Sequence, residues 1–278
     1  MLAYHYTEAG LAQQAVGYWQ WAGQRAIERS ANAEAISHLT KGLELLTTLP
    51  DTPERAQQEL AMLTILGPAL IDTKGQASPD VLQAYARARA LCQQVGETPQ
   101  LFQVLRGLWL FYVLRLELRT AQELAEHLLT LAQHVGDPAL RLEAHYALGA
   151  TLNYVGAFAA AQVHLEQGIA LYDAQQHRAH AFRYGQDPGV FCRGYAAVTL
   201  WWLGYPDQAL QRSYEALTLA QELAHPFSLA YALYFAIWLH QLRRDAHRTH
   251  ERAAAIIALA AEHGFAVLLV VGKIVVLC

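Results

Sequence analysis

The spacing of small and bulky residues between positions 148 and 168 restricts this chain more than any other feature. Leu148, Gly149, Leu152, Gly156, Ala161, Leu165 and Gly168 lie at offsets of 1, 4, 8, 13, 17 and 20 from the first. The first three share a helical face, Gly156 stands where a left-handed residue ends a helix, and the last three resume the helical period. This describes two helices joined by a tight turn. Small residues at their crossing let the backbones approach, and bulky ones fill the gaps beside them. One such pair cannot bury its apolar surface alone, so further pairs must stack on it.

The same spacing recurs. Leu2, Ala3, Tyr6, Gly10, Ala15, Trp19 and Ala22 repeat it in full, and Gly204, Ala209 and Ala216 repeat its second half after Ala196, Ala197 and Leu200. Thr52-Pro53, Ser78-Pro79, Thr98-Pro99 and Asp137-Pro138 each set a capping side chain before a proline, the favoured first residue of a helix. Asp187-Pro188, Tyr205-Pro206 and His225-Pro226 read as further starts, and Gly96 and Gly136 as helix ends. Ala121, Leu124, Ala125, Leu128, Leu131, Ala132 and Val135 keep a helical period, and no segment alternates as a strand. About a dozen helices are expected, in pairs beginning near Glu54, Pro99, Pro138, Pro188 and Pro226. Their small-residue positions fall at Gly67, Trp109, Gly149, Ala197 and Ile237, with Trp109 and Ile237 as misfits. The separations of 42, 40, 48 and 40 residues exceed the ~34 of ordinary tetratricopeptide repeats and overlap the ~40–47 of HEAT-type repeats. The internal offsets favour the former. The expected fold is all-α: a right-handed α-solenoid of tetratricopeptide-like helical hairpins with long (~40-residue) repeats.

Composition agrees with helices packed on more than one side, since 54% of residues are hydrophobic and only 16% charged. Net charge is -4 and no basic stripe is visible, which argues against nucleic acid as a partner. Cys92, Cys192 and Cys278 are isolated and lack any CxxC spacing, so they read as thiols of a reducing compartment, and a cytoplasmic location is expected. The N-terminus has neither the basic nor the long apolar segment of a secretory signal. The apolar run Ala266–Cys278 is 13 residues long, too short to span a bilayer, and reads as the first helix of a repeat whose second helix is missing.

The usual catalytic patterns are absent. Gly272-Lys273 is followed by Ile274 and has Val267 where a phosphate loop needs its first glycine; GxGxxG, GxSxG and HExxH do not occur. No catalytic, cofactor-binding or metal-binding residue is therefore assigned. His177 with His180, and His247 with His250, are spaced to share a helix face, but neither pair has an evident third ligand, and packed or solvated histidines are the favoured reading. Arg243, Arg244, Arg248 and Arg252 form a small basic cluster balanced by Asp245 and Glu251. Lys74–Ser78 lengthens one turn. Asp173–Gly189 is a longer insertion between two hairpins, read either as functional or as a loop packed over the repeat edge through Phe182 and Tyr184.

The better functional candidate is the concave face, which the first helix of each tetratricopeptide pair lines. Taking the small residue as position eight, positions two, five, nine, twelve and thirteen are Glu143, Tyr146, Ala150, Asn153 and Tyr154. The next unit places Phe191, Gly194, Val198, Trp201 and Trp202 there, and the one after Tyr231, Tyr234, Trp238, Gln241 and Leu242. Glu143, Tyr146, Asn153, Tyr154, Trp202, Tyr231, Tyr234, Trp238 and Gln241 are the candidate partner-binding residues. Aromatics with a few polar groups suit a peptide or protein partner. The competing reading is that these aromatics pack between hairpins.

Leu-Ala-Tyr-His-Tyr-Thr-Glu-Ala-Gly (2–10), Tyr-Trp-Gln-Trp-Ala-Gly-Gln-Arg-Ala (18–26), Ser-Ala-Asn-Ala-Glu-Ala-Ile (30–36) and Tyr-Gly-Gln-Asp-Pro-Gly-Val (184–190) carry a family resemblance. They resemble the C-terminal tetratricopeptide-like region of large bacterial signalling proteins, in which a class III adenylate/guanylate cyclase domain or another effector precedes an AAA/STAND-type ATPase. The resemblance runs to about Gly264 and implies a fragment. Residues 1–50 would be repeat helices at the junction to an upstream ATPase, 51–264 the solenoid, and 265–278, which depart from the family pattern, the truncated or frameshifted start of another repeat. The cyclase carboxylates and the ATPase phosphate loop have no counterpart here. The implied function is a non-catalytic interaction and regulatory module of a signalling ATPase or nucleotide cyclase, without cofactor, nucleic acid or membrane. A stand-alone adaptor and a degenerate fragment of a cyclase-type enzyme are the alternatives.

Overall fold

The computed structural model describes residues 2–29, 31–95 and 100–277. Among them are sixteen helices and no strand. The chain divides into two compact units, Met1–Phe111 and Tyr112–Cys278. Among the described residues, no helix is long and apolar enough to cross a membrane.

The first unit holds α1 (Leu2–Glu8), α2 (Ala12–Glu28), α3 (Asn32–Leu46), α4 (Pro53–Lys74), α5 (Pro79–Val95) and the first part of α6 (Leu101–Leu114). Thr52 caps α4 by accepting a bond from the Arg55 amide at 3.2 Å, with Pro53 at the first helical position. The Thr98-Pro99 start and the Gly96 stop lie outside the described residues. Small residues mark the crossings as expected: a Cβ on Gly23 would meet Leu39 Cγ at 2.6 Å. Gly67 and Gly107 both press on the ring of Tyr85, which is buried. The small-residue position of α6 is thus Gly107, not Trp109. Trp109 is instead a core residue with the Arg106 guanidinium 4.4 Å over its ring. Aligning the repeats on their helix starts misplaces this position by two residues; only the packing partner reveals it.

The second unit contains α7 (Leu118–Val135), α8 (Pro138–Val155), α9 (Phe158–Leu171), α10 (Ala174–His177), α11 (His180–Tyr184), α12 (Pro188–Trp202), α13 (Pro206–Leu223), α14 (Pro226–Leu242), α15 (Ala246–His263) and α16 (Ala266–Leu277). Asp137 and Asp187 cap α8 and α12 through the amides of Ala139 and Val190, at 2.8 and 2.9 Å. Gly136 and Gly156 end α7 and α8 with φ of 75° and 85°, a region costly for any residue with a Cβ. Tyr205 makes no side-chain cap, and there Pro206 alone defines the start.

The two helices of a pair differ in what they bury. α9 buries only Ala161, Leu165 and Gly168, a single stripe. α12 buries all but three of its fifteen residues, because it packs against α8, α9, α13 and α14. This accounts for the low charge content. At the α8–α9 crossing a Cβ on Gly149 would meet Leu165 Cγ at 2.6 Å, so the seven-residue pattern has its physical cause here. The count exceeds the expected dozen in part because the insertion, read from sequence as a loop, contributes the short helices α10 and α11.

Candidate partner-binding face

The inner positions of α8, α12 and α14 divide into three environments. The first is a polar cluster under the insertion. Glu143 and Tyr146, one turn apart on α8, are buried. Glu143 Oε1 lies 2.8 Å from His180 Nδ1 of α11, and the Tyr146 hydroxyl donates to Gln186 Oε1 at 3.0 Å. Tyr172 donates to Asp187 Oδ2 at 3.0 Å while Arg193 stands 5.5 Å from the Tyr172 ring. His177 Nδ1 accepts from the Asp173 amide at 2.9 Å, and its ring meets His180 edge-on with centroids 5.2 Å apart. Burial pushes the Asp187 carboxyl up to about 6, against the bonds from Val190 and Tyr172 that favour its charge. Burial holds the His177 imidazole below its ordinary range, so it stays neutral near pH 7.

Of the two histidine pairs, His177 and His180 thus sit inside the fold, whereas His247 and His250 are exposed on α15. Among the described residues no group of three or more His, Cys, Asp or Glu could hold a metal. Cys92 and Cys192 are buried, one in each unit, and Cys278 lies outside the described residues. In the insertion, Tyr184 is buried, while Phe182 is 43% exposed and packs edge-on against His225.

The second environment is an aromatic ladder. Tyr195 donates to the Tyr154 hydroxyl at 3.2 Å, and its ring meets Phe235 at 4.8 Å between centroids. Phe191 joins Tyr146, Tyr231 and Phe235. Phe235 continues to Tyr234, and Tyr234 to Trp238 at 6.3 Å. Most of these contacts are tilted or edge-to-face, the arrangement that matches ring edges to ring faces. Phe191, Gly194, Val198 and Ala150 are spent on packing: all are buried, and Phe235 lies against Gly194. Asn153 is also interior, donating to Thr199 Oγ1 at 2.7 Å. Tyr154, Tyr231, Tyr234 and Trp238 remain half-buried, with one side turned to the core and the rest accessible. Burial raises Tyr154, and pushes Tyr234 up to about 12, so the phenols are neutral donors at ordinary pH.

The third environment is the exposed end of the helices. Trp202 is 49% exposed and stacks on Phe158 at 5.9 Å and 15°. Gln241 is exposed, three residues beyond Trp238 on α14, and Trp201 is half-buried beneath the Arg243 guanidinium. The structure therefore links Tyr154, Tyr231, Tyr234 and Trp238 through Tyr195 and Phe235. It places Glu143 and Tyr146 under the insertion, Asn153 inside, and Trp202 beside Phe158. Sequence reasoning missed Tyr195, Phe235, Tyr172 and Gln186. A signal was available: Tyr154 to Tyr195 and Tyr146 to Gln186 span 41 and 40 residues, close to the repeat period.

No family model matches the sequence. An uncharacterised protein of Rhizobium meliloti (strain 1021) is 27% identical over 268 residues, covering 94% of this chain and 26% of its own length. The chain thus spans about a quarter of that relative. Among solved structures, a Rap protein complexed with Competence and Sporulation Factor is similar with a TM-score of 0.64 at 13% identity, over 91% of this chain and 67% of that one. Aspartyl phosphate phosphatase F from Bacillus subtilis matches with a TM-score of 0.59 at 12% identity, over 99% and 73%. A STAND protein with a tetratricopeptide repeat sensor from Pyrococcus horikoshii matches with a TM-score of 0.57 at 13% identity, over 99% of this chain and 43% of that one. With its hairpins, its small-residue crossings and these likenesses, the chain has an all-α fold of tetratricopeptide-like helical repeats.

Proposed function

We propose that this chain is a non-catalytic helical-repeat module that holds a protein or peptide partner and regulates a larger signalling protein. The observation that carries this is the half-buried aromatic row Tyr154, Tyr231, Tyr234 and Trp238, with exposed Gln241 beyond it. Rings fixed on their core side lose little freedom on binding, which is the character of an interface anchor. Two comparisons support the reading: one fold neighbour was solved with Competence and Sporulation Factor, and another is a STAND protein with a repeat sensor. The longer Rhizobium relative agrees with a multidomain parent, and the family resemblance supports a cytoplasmic ATPase or nucleotide cyclase as that parent. The module would act by binding better to one arrangement of its parent than to another.

The test is photo-crosslinking from position 241 in the source cell, with Trp238→Ala and Tyr234→Ala compared in the same assay. The expected outcome is one specific partner, lost in both variants while circular dichroism and melting stay near those of the parent chain. Equal crosslinking by folded variants would remove this face from consideration. ATP or GTP turnover by the purified chain would sink the non-catalytic assignment.

A further inference from the structure

The insertion between α9 and α12 covers the very positions of α8 that repeat geometry assigns to partner contact. Glu143 and Tyr146 occupy inner positions two and five, and the chain's own His180 and Gln186 sit on them at 2.8 and 3.0 Å. α10 and α11 have only four and five residues, far below the length at which a helix holds itself together. They persist because of where they are seated. The seating is mostly polar: besides the two bonds above, Arg178 reaches the Leu223 carbonyl at 3.4 Å. Its buried apolar side chains are Ala181 and Tyr184, while Phe182 is exposed on one side and meets the His225 ring on the other.

On the receiving helix one buried carboxylate, Glu143, meets the segment, through His180. Glu143 is fully buried, and the segment carries His177, Arg178, His180 and Arg183, the two arginines exposed, with no acidic residue between Ala174 and Gln186. The resident segment supplies a ring nitrogen to Glu143 and an acceptor to the Tyr146 hydroxyl, and a segment that displaces it in competition with water must match both groups. An apolar or acidic segment would not do so.

We propose that residues 174–186 are an exchangeable resident segment, and that the surface beneath them on α8 accepts a peptide in trans bearing a histidine followed six residues later by a carboxamide. The partner is thus a segment of like chemistry to the insertion, neutral to basic. This deepens the partner-holding reading above and rests on it, but it concerns Glu143 and Tyr146 and leaves Trp238 and Gln241 untouched.

The experiment replaces residues 174–186 by a Gly/Ser linker of equal length in the full chain, which removes both His180 and Gln186 from α8, and adds a synthetic peptide of residues 174–187. The expected result is saturable binding that raises the melting temperature, weakened about ten-fold or more when the peptide carries His180→Ala and Gln186→Ala. No binding to the folded linker variant, or equal binding of both peptides, would overturn the proposal. Should the linker variant fail to fold, hydrogen exchange on the unaltered chain decides. Insertion amides exchanging about ten-fold or more faster than those of α8 and α12 support a separable segment; exchange in step with α8 overturns it. Either outcome is independent of whether Trp238→Ala abolishes crosslinking, so the two readings can fail separately.

Discussion

At the residue level, the most sensitive positions are those where one side chain leaves no room for another. Leu165 lies over Gly149, and Ala161 is wholly buried at the same crossing. Gly149→Leu or Ala161→Leu should destabilise by about 1–3 kcal/mol, read as a lower urea midpoint with unchanged slope. An unchanged midpoint would refute the crossing. Asp72 presents a different strain. It accepts from Asn32 Nδ2 at 3.0 Å, yet burial pushes its carboxyl up to about 7 from an ordinary 3.8. The folded chain therefore binds a proton there more tightly than the unfolded one, and this group adds stability as pH falls from about 7 towards 3.8. Asp72→Asn should accordingly stabilise by about 1–3 kcal/mol at pH 8, a gain that disappears by about pH 4. Melting curves at both pH values test it. His225 and His145, held down to about 4 by burial, act in the opposite sense and lose stability as pH falls below their ordinary 6.5. Substituting Asp72 isolates its own contribution from theirs.

At the level of elements, two adjacent side chains, Gln186 and Asp187, tie three of them together. Asp187 caps α12 at Val190 and holds Tyr172 at the end of α9, while Gln186 beside it accepts from Tyr146 of α8. Asp187→Ala should cost about 1–3 kcal/mol and loosen the insertion, measurable as faster amide exchange over residues 174–186. Asp187→Asn keeps an acceptor and should fall nearer the parent. Its standing relative to the parent should improve as pH rises from 3.8 to about 6, the range in which the unfolded parent gives up a proton that the folded one still holds. Two of the turns were equally legible from sequence: Asp137-Pro138 and Thr52-Pro53 cap as their residue types require. The insertion was not. Its residues have no period long enough to announce a helix, and α10 and α11 are held by contacts from distant residues, among them Glu143 of α8 and the Leu223 carbonyl of α13.

For the molecule as a whole, exposed apolar surface is concentrated on α16. Val267, Val270, Ile274 and Leu277 are 58%, 55%, 54% and 86% exposed and follow one another at helical spacing, while Gly272 on the other side packs on Ile256 and Ile257. A stripe of that kind favours association. Val270→Glu with Ile274→Glu should reduce self-association in sedimentation velocity and leave the melting temperature nearly unchanged; a large loss of stability would show the stripe to be core. Pattern alone disclosed the class of fold, because a seven-residue code of small and bulky side chains admits little besides stacked helical hairpins, and proline caps located most of the starts. It could not place Gly107 rather than Trp109 at a crossing, since that depends on Tyr85 from another helix. Nor could it separate the inner positions into those that meet solvent and those already occupied. Glu143 and Tyr146 satisfy the same positional rule as Tyr234 and Trp238, and only tertiary packing decides that the first two lie beneath the chain's own insertion. Helical period is a local property that a sequence carries in itself, whereas burial depends on residues some 40 positions away.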